Sequence, residues 1–398
     1  MSAVMSTYGR APIAFERGEG AWLVATDGRR YLDFAAGVAV DSLGHCHPHL
    51  VEALTAQAKR VWHVSNLYEI PEQTRFAERL CAASFASAAF FCNSGAEAME
   101  GAIKVARRYQ AKNGKPERWR AITLEGSFHG RTLATLAAAK NPKHLDGFGV
   151  PADGFDQVPA NNLNALRAAI TPQTAMIIAE PVQGEGGVRA LSADYLKGLR
   201  AAADEFGLVL VFDEVQTGFG RTGPLFAYQA SGVAPDVMAL AKGIAGGFPC
   251  GAVLASEKVA AAMAPGSHGS TFGGNPLAMA AANATLDVIE ADDFLADAEA
   301  AGASLRRGLE DLARRRPDVI TEVRGVGFML GLRIADPYTN GALGDCAREE
   351  GLLTVVAGDN VLRLVPPLIV REPEIAAALA MLDRACAALA GRGKGTHG

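Results

Sequence analysis

The stretch LVLVFDEVQTGFGRTG, residues 208–223, combines an apolar run with an abrupt polar ending. The run is about one strand long and stops at two adjacent acids, Asp213 and Glu214, before a glycine-rich segment. Near-continuous apolar runs are typical of strands buried on both faces of a mostly parallel sheet. Ligands of doubly wound sheets bind beyond the carboxyl ends of the strands, so Asp213 stands where a ligand is expected.

The same pattern of apolar strand, turn and amphipathic helix recurs along the chain. Segments such as SADYLKGLRAAADEFG (192–207) have helical periodicity and lie between strand candidates. This alternation predicts an α/β fold with a mostly parallel sheet flanked by helices. The further strand candidates are SAAFFCN (87–93), RAITLEGS (120–127), TAMIIAEPV (174–182) and PDVMALAKG (235–243).

The end of the chain has a different pattern. Residues 324–334 and 360–370 are predicted as strands, and residues 372–390 as a helix, which is typical of an α+β unit. At 398 residues, two domains are the prior expectation. We therefore expect a large domain over residues 51–285 and a smaller α+β domain formed by residues 1–50 and 286–398.

Composition narrows the classes of function. Hydrophobic residues make up 49% and charged residues 20%, and the net charge is −5, which gives no reason to expect nucleic acid. No apolar run approaches the roughly 18 residues of a membrane span, and no basic-then-apolar leader is visible. The six cysteines are scattered, as in proteins with reduced thiols. These features predict a cytoplasmic protein without membrane or nucleic-acid partners.

Polar side chains follow the predicted strands. Because the carboxyl ends of parallel strands meet at one edge of a sheet, we expect these side chains to form one site. They are Asn93 and Ser94, Ser127 and His129, Glu180, Asp213, and Lys242.

Two short motifs are weak signals of other sites. GFGRTG (218–223) matches the dinucleotide fingerprint, but the fingerprint requires glycine directly after the strand and a helix at once. GHCHPHL (44–50) gathers histidines and a cysteine, but no second pair of ligands with zinc spacing stands out. We expect a packed turn there and no metal.

Lys242 lies in ALAKGIAGGFP (239–249), where its neighbours are small or apolar. Burial disfavours the charged amine and lowers its pKa from about 10.4 towards neutrality. A neutral amine is what condensation with an aldehyde requires, and this indicates pyridoxal phosphate.

The cofactor's other needs can be met by residues at neighbouring strand ends. Its ring nitrogen must stay protonated, and a buried carboxylate such as Asp213 would hold that proton. Its phosphate suits a helix N-terminus, which Ser94, Gly95 and Ala96 would form. Its ring needs a flat apolar partner such as Phe128. Each residue alone could have a structural role, so the inference rests on the conjunction.

The motifs in their order make the chain recognisable. They are FCNSGAEAMEGAIKVAR (91–107), SFHGRT (127–132), EPVQGEGGV (180–188), FDEVQTGFGRTG (212–223), AKGIAGGFPCGA (241–252) and HGSTFGGNPLA (268–278). With them the chain resembles the class-III pyridoxal-phosphate-dependent aminotransferases over nearly its whole length. The resemblance implies fold type I and a homodimer whose active sites are built by both subunits.

The resemblance also assigns roles in binding the cofactor. It makes Lys242 the Schiff-base lysine and later the proton carrier, and Asp213 the partner of the ring nitrogen. The other implied contacts are Gly95 and Ala96 at the phosphate, Val215 and Phe128 on the ring faces, Gln216 near the phenolic oxygen, and Thr271 at the neighbouring subunit's phosphate.

Four residues are implied to bind substrate. Arg131 would bind the carboxylate distant from the reacting amine, and Arg363 the α-carboxylate of glutamate. Ser270 would reach the neighbouring subunit's substrate. Glu185 is expected to neutralise Arg363 when no α-carboxylate is present, because a buried unpaired guanidinium costs several kcal/mol. Asp41 and the pair Ile244–Ala245 depart slightly from the family pattern without affecting the chemistry.

The substrate expected from this pattern is N2-acetyl-L-ornithine, with 2-oxoglutarate as the amino acceptor in arginine biosynthesis. Ornithine aminotransferases carry a tyrosine where this chain has Val38, and valine offers no polar partner to a free α-amino group. Succinylornithine and N-succinyl-diaminopimelate remain alternatives, because an apolar wall discriminates acyl groups poorly. Ornithine and 4-aminobutyrate are less favoured, and intact Lys242 and Asp213 argue against a non-catalytic protein.

Overall fold

The computed structural model describes residues 3–394 of the 398-residue chain. In this part of the chain the strands are β1 (Phe15–Glu19), β2 (Trp22–Ala25), β3 (Arg30–Asp33), β4 (Ala88–Cys92), β5 (Arg120–Leu124), β6 (Phe155–Val158), β7 (Thr174–Ala179), β8 (Val182–Gln183), β9 (Arg189–Ala190), β10 (Val209–Asp213), β11 (Val237–Leu240), β12 (Gly251–Ala255), β13 (Ile320–Val326), β14 (Met329–Ile334), β15 (Leu352–Leu353), β16 (Val355–Ala357) and β17 (Val361–Leu364). The helices are α1 (Ala36–Ala39), α2 (Pro48–Ala58), α3 (Pro71–Ala82), α4 (Gly95–Lys112), α5 (Leu133–Ala139), α6 (Pro142–Leu145), α7 (Leu163–Ala168), α8 (Ala193–Phe206), α9 (Ala227–Ser231), α10 (Glu257–Ala260), α11 (Pro276–Ile289), α12 (Phe294–Arg315), α13 (Asn340–Glu349) and α14 (Glu372–Lys394), and a 3-10 turn spans Lys242–Ala245. No helix within residues 3–394 has both the length and the apolarity that a membrane crossing requires.

A seven-stranded sheet forms the centre of the fold, with strand order β4-β12-β11-β10-β7-β5-β6. β10 pairs in parallel with β7 and β11, and β5 pairs in parallel with β6 and β7. β12 is antiparallel to both of its neighbours, β11 and β4. The carboxyl ends of β4, β5, β7, β10 and β11 therefore meet at one edge of the sheet, as the strand pattern predicts.

Alternate residues of the central strands face two apolar layers. In β10, Leu210 and Phe212 pack in a cluster with α3, α8 and α11, whereas Val209 and Val211 pack in a second cluster with α4. Because side chains alternate across a strand, burial on both faces requires the near-continuous apolar run of residues 208–212. The same burial makes the polar residue at the end of the run conspicuous.

The N-terminal strands pack with the C-terminal part of the chain. β1, β2, β3 and β15 form one four-stranded sheet, and β13, β14, β17 and β16 form another. Leu32 and Phe34 share one apolar cluster with residues of α12, α13 and α14. Leu286 and Ile289, at the end of α11, instead belong to a cluster of the central sheet.

Two of the predicted strands differ from the structure. Residues 324–334 are not one strand but the hairpin of β13 and β14, which turns at Gly327 with a φ of 54°. Glycine adopts this left-handed conformation at little cost, so the chain can turn at Gly327 although apolar residues flank it on both sides. The strand expected over residues 360–370 stops at Leu364, because Pro366 and Pro367 have no N–H to donate to a sheet.

The glycine-rich segment after β10 ends at the buried Arg221. Arg221 Nη1 donates hydrogen bonds to the carbonyl oxygens of Phe328 and Pro366, and the Arg221 carbonyl oxygen accepts one from the Phe328 N–H at 2.9 Å. Burial lowers the pKa of this guanidinium to about 9. Arg221 thus joins the central-sheet region to the C-terminal sheet.

The segment α1 is a left-handed turn, with φ of 44°, 63°, 66° and 64° from Ala36 to Ala39. For non-glycine residues this conformation costs about 1 kcal/mol each. The N–H groups of Ala35 and Ala36 donate to Asp33 Oδ1 at 2.9 and 2.8 Å, which stabilises the start of the turn. Val40, directly after it, faces the candidate site.

Candidate active site

A cavity of about 400 Å³ lies at the carboxyl edge of the central sheet. Strand ends that are distant in sequence supply its polar lining, because parallel strands bring their carboxyl ends together. Of the polar residues predicted there, Ser127 is buried but does not line the cavity. Those that line it are Asn93, Ser94, His129, Glu180, Asp213 and Lys242.

Lys242 begins the 3-10 turn after β11, with a φ of 48°. Its side chain is half-buried and lines the cavity. Burial and the nearby charge of Arg363 lower the pKa of this amine to about 8, although Glu185, Asp213 and Glu180 oppose the shift. A substantial neutral fraction near pH 8 makes the amine a competent nucleophile.

Asp213 ends β10 as a buried acid with two protein partners. Its Oδ2 lies 2.7 Å from His129 Nδ1, and its Oδ1 accepts a hydrogen bond from the Val215 N–H at 3.1 Å. Burial alone would lower the pKa of His129, but the hydrogen bond to Asp213 and the charges of Asp213 and Glu180 outweigh it and raise the pKa. The Nε2 of His129 has no hydrogen-bond partner among the described residues.

Glu180 is a second buried acid at this edge of the sheet. It accepts hydrogen bonds from the N–H groups of Phe128, at 2.8 Å, and Gly184, at 3.4 Å. Burial raises its pKa to about 7, and the charge of His129 opposes that shift. Glu180 therefore fixes two loops that border the cavity, those containing Phe128 and Gly184.

The N-terminus of α4 forms an anion cradle at the cavity. Ser94 is the N-cap, and its Oγ accepts a hydrogen bond from the Glu97 N–H at 3.2 Å. Gly95 and Ala96, in the first turn, line the cavity, and their N–H groups have no partner within the helix. A Cβ on Gly95 would lie 2.7 Å from a methyl carbon of Val215, so a larger residue there would displace the cavity wall.

Apolar and polar side chains complete the walls. Phe128, Val215 and Gln216 all line the cavity. The guanidinium of Arg131 lies over the Phe128 ring, 5.6 Å from its centroid, and its Nη2 is 3.2 Å from His144 Nε2. Arg131 is exposed, so its charge is available at the mouth of the cavity.

Arg363, in β17, is a fully buried arginine. Its Nη1 donates to Gln216 Oε1 at 2.8 Å, and its Nη2 lies 2.7 Å from Glu185 Oε1 in an ion pair. Neither Nε nor Nη2 of Arg363 has a hydrogen-bond partner within residues 3–394, so its contact with Glu185 is an ion pair without a hydrogen bond. A buried guanidinium with spare donors can bind a carboxylate.

Ser270 and Thr271 lie outside this cavity, in the loop before α11. The Ser270 Oγ accepts hydrogen bonds from the Gly273 N–H at 3.0 Å and Asn93 Nδ2 at 3.3 Å, and Thr271 is exposed. Their role at a neighbouring subunit's site stays a prediction.

Sequence reasoning placed His129 and Glu180 at strand ends but gave neither a partner. The contact between His129 and Asp213 spans 84 positions in the sequence. In the sequence, the one indication of this contact is that both residues follow apolar strands, because such residues meet at one edge of a parallel sheet. The histidines of GHCHPHL diverge, because His45 pairs with Asp33 and His49 with Asp287.

The donor set fits pyridoxal phosphate. The cavity offers an amine of lowered pKa for the aldehyde, a buried carboxylate for the ring nitrogen, an N-terminal cradle for the phosphate and apolar walls for the ring. Together with the mostly parallel sheet, these features define a pyridoxal-phosphate-dependent enzyme of fold type I.

The aminotransferase class-III family model matches residues 4–386, and the chain belongs to that family. The members of this family are aminotransferases that depend on pyridoxal phosphate, and the protein is accordingly such an enzyme.

Named relatives and solved structures support this assignment. The acetylornithine aminotransferase of Agrobacterium fabrum is 56% identical over 386 residues, which cover 97% of this chain and 96% of that protein. That of Mesorhizobium japonicum is 57% identical over 378 residues, covering 95% and 94%. The crystal structure of N-acetylornithine aminotransferase from Stenotrophomonas maltophilia has a TM-score of 0.85 at 39% identity, covering 97% and 99%. An ornithine aminotransferase structure from Toxoplasma gondii has a TM-score of 0.94 at 31% identity, covering 98% and 94%.

Proposed function

We propose that the protein transfers the terminal amino group of N2-acetyl-L-ornithine to 2-oxoglutarate, giving N-acetyl-L-glutamate 5-semialdehyde and L-glutamate. The observation that carries this proposal is the 55–57% identity, over nearly the whole chain, to proteins named acetylornithine aminotransferase. We assign the reaction to arginine biosynthesis, which these names support. Free cysteines throughout the described chain agree with a cytoplasmic location.

Ornithine is the second candidate substrate, because an ornithine aminotransferase has the higher TM-score of the two structures compared above. The residues beside the cavity favour the acylated substrate. Val40 lines the cavity and Val38 precedes it in the left-handed turn, and neither can pair with a charged α-amino group.

A substrate panel tests this choice. Purified enzyme with 2-oxoglutarate should show the largest kcat/KM with N2-acetylornithine among acetylornithine, succinylornithine, N-succinyl-diaminopimelate, ornithine and 4-aminobutyrate. We expect at least tenfold discrimination against ornithine, because its free α-amino group would lose a hydrogen-bonding partner on binding. A larger kcat/KM for ornithine would contradict the proposal.

The roles of the chain's residues follow from their placement. When bound, pyridoxal phosphate supplies an aldehyde for amines and an electron-withdrawing ring. Asp213 would keep the ring nitrogen protonated, and His129 Nδ1, 2.7 Å from Asp213 Oδ2, holds that carboxylate in place. Lys242 Nζ would hold the cofactor through its aldehyde and would then be the group that moves a proton. Ser94, Gly95 and Ala96, at the N-terminus of α4, would bind the phosphate.

The active site must hold two different substrates, one in each half-reaction. Glutamate brings an α-carboxylate to Arg363 and a second carboxylate to Arg131. Acetylornithine presents only methylenes where the α-carboxylate of glutamate would lie. We assign Glu185 as the group that pairs with Arg363 in that half-reaction and swings away in the other. The 2.7 Å ion pair supports this assignment.

Glu185→Gln should lower kcat/KM for acetylornithine about tenfold and leave that for glutamate within twofold or improve it. Glutamine keeps the shape but leaves the buried guanidinium of Arg363 without its counter-charge in the acetylornithine half-reaction only. About 1.4 kcal/mol is expected, since Glu185 is itself one-third exposed. Stopped-flow spectra of each half-reaction provide the measurement.

Glu205→Gln is the matched control, because Glu205 pairs with Arg167 at 2.6 Å on an exposed surface outside the cavity. The control should change neither half-reaction. Equal losses in both half-reactions of Glu185→Gln would show that Glu185 is a general structural element.

Our proposal includes a homodimer with shared sites. Asn66 Nδ2 donates to the carbonyl oxygens of Ser270 and Gly273, at 3.1 and 2.9 Å, and so joins the loop around residue 66 to the loop of Ser270 and Thr271. Large apolar side chains are exposed on these two loops, as at protein interfaces. They are Trp62, Leu67, Tyr68 and Phe272.

The domain division belongs to the same proposal, with a large domain over residues 51–285 and a small one over 1–50 and 286–398. It is supported by the apolar cluster that β3 shares with the C-terminal helices. Met1, Ser2 and residues 395–398 lie outside the described part of the chain. Arg363 and Glu185 then come from different domains, and the cavity lies where the domains meet.

A further inference from the structure

The loop that carries Glu185 lies against the tip of the β16–β17 hairpin. The Gly358 N–H donates a hydrogen bond to the Glu185 carbonyl oxygen at 2.8 Å. A Cβ on Gly358 would lie 2.8 Å from that oxygen, and a Cβ on Gly187 would lie 2.9 Å from the Gly358 oxygen. Glycine at both positions therefore allows the two backbones to approach closely.

Asp359, at the tip of that hairpin, is held by arginines from two other segments. Its Oδ2 accepts hydrogen bonds from Arg189 Nη2 at 2.8 Å and Arg324 Nη1 at 2.6 Å, and Arg333 Nε is 3.7 Å away. The bond from Arg189 and then that from Arg324 lower the pKa of Asp359 to about 2, against the effect of burial. The carboxylate therefore stays ionised throughout the neutral range.

The two segments carry the same charge pattern, an acid followed four residues later by an arginine, and they pair in antiparallel order. The hairpin supplies Asp359 and, four residues later, Arg363. The loop and the strand after it supply Arg189 and Glu185. Two charge-reversed pairs result, Asp359 with Arg189 and Arg363 with Glu185. Arg324 reinforces the first pair, because its Nη1 also contacts the Gly187 carbonyl oxygen at 3.4 Å.

The two pairs differ in what a substrate can reach. Arg363 is fully buried behind Glu185 and Gln216, which line the cavity, whereas Arg189 is about half exposed. Glu185 of the inner pair lines the cavity, where a substrate carboxylate would compete with it for Arg363, whereas neither Asp359 nor Arg189 of the outer pair lines the cavity. The outer pair therefore persists while the inner pair opens and closes.

We propose that Asp359 is a positioning residue that holds the loop backbone against the hairpin, so that the Glu185 carboxylate meets Arg363 whenever the substrate offers no carboxylate. This inference rests on the proposed function, since it deepens the role given to Glu185. With the backbone held, the exchange between the two substrates needs only a movement of the Glu185 side chain. Without Asp359, closing the inner pair must also order the loop, which costs conformational entropy.

Asp359→Asn tests the proposal with little change to the backbone. Asp359 has a φ of 55°, and asparagine adopts this left-handed conformation more readily than most residues. Loss of its charge should lower kcat/KM for the acetylornithine half-reaction about fivefold and leave the glutamate half-reaction within twofold. Glutarate, a dicarboxylate without an amine, should bind the holoenzyme about threefold more tightly in calorimetric titration, because Glu185 competes less well for Arg363.

Two further variants make the result specific. Arg189→Gln removes the loop's side of the outer pair and should shift glutarate binding in the same direction, by less, because Arg324 still holds Asp359. Asp383→Asn is the control. Asp383 lies in α14, on another part of the surface, and accepts a hydrogen bond from Arg316 at 2.6 Å. This control should leave glutarate binding unchanged.

Unchanged or weaker glutarate binding in Asp359→Asn would overturn the proposal, as would equal losses in both half-reactions. If the native enzyme does not react with acetylornithine, the proposed function fails. The glutarate titration still decides the role of Asp359, because it needs Arg363 and Glu185 but not that substrate.

Discussion

Lys242→Ala is expected to reduce overall transamination by at least about four orders of magnitude, because the variant loses both the covalent anchor and the proton carrier. The cavity offers no second lysine, since Lys242 is the one that lines it among residues 3–394. The anion cradle of α4 remains, so the variant should still bind pyridoxal phosphate through its phosphate group. Steady-state rates and equilibrium dialysis with the cofactor provide the two measurements.

Lys197→Ala is the matched control for this variant. Lys197 is exposed on α8, away from the cavity, and its replacement should leave the rate within twofold. Near-native transamination by Lys242→Ala would show that another group carries the chemistry.

Asp213→Asn should slow the half-reaction with glutamate by about three orders of magnitude. Asparagine keeps the shape of the side chain but removes the charge that stabilises a protonated ring nitrogen. An opposite charge at about 4 Å is worth roughly 4 kcal/mol at an effective dielectric constant of 20, which corresponds to nearly three decades in rate if felt in the transition state. Single-turnover spectra with saturating cofactor and glutamate measure the loss.

The structure adds a second consequence of this substitution. Because Asp213 raises the pKa of His129, the imidazole should titrate at lower pH in Asp213→Asn. Histidine resonances of the cofactor-free protein would show this shift without any turnover. Asp345→Asn, at an exposed acid that pairs with Arg348 at 2.7 Å, is the control. A rate loss under tenfold with cofactor bound would count against the role of Asp213.

The sequence could predict the central sheet because its chemistry is local. A strand buried on both faces must be apolar along its whole length, and the polar residue that ends it is then easy to see. This reasoning located Asp213 at the end of β10 and Lys242 just after β11, on the same edge of the sheet. Helix capping is local too, so Ser94 could be predicted at the start of α4, where it is the N-cap.

Contacts between distant segments could not be predicted in the same way. The outer pair joins Asp359 to Arg189 across 170 positions, and nothing in either local sequence distinguishes these residues from ordinary surface charges. The left-handed turn from Ala36 to Ala39 was also hidden, because only one of its four residues is glycine. The hydrogen bonds from the N–H groups of Ala35 and Ala36 to the Asp33 carboxylate, two and three residues back, stabilise a conformation that backbone propensity disfavours.

The most consequential of these proposals is that Lys242 joins the cofactor in a cavity that Asp213, Gln216 and Glu185 also line. Borohydride reduction of the native holoenzyme, followed by proteolysis and mass spectrometry, tests it most directly. We expect one pyridoxyl label per chain, on the peptide that contains Lys242, and no label at that site in Lys242→Ala. A stoichiometric label on any other lysine, or none on the native enzyme, would contradict the account.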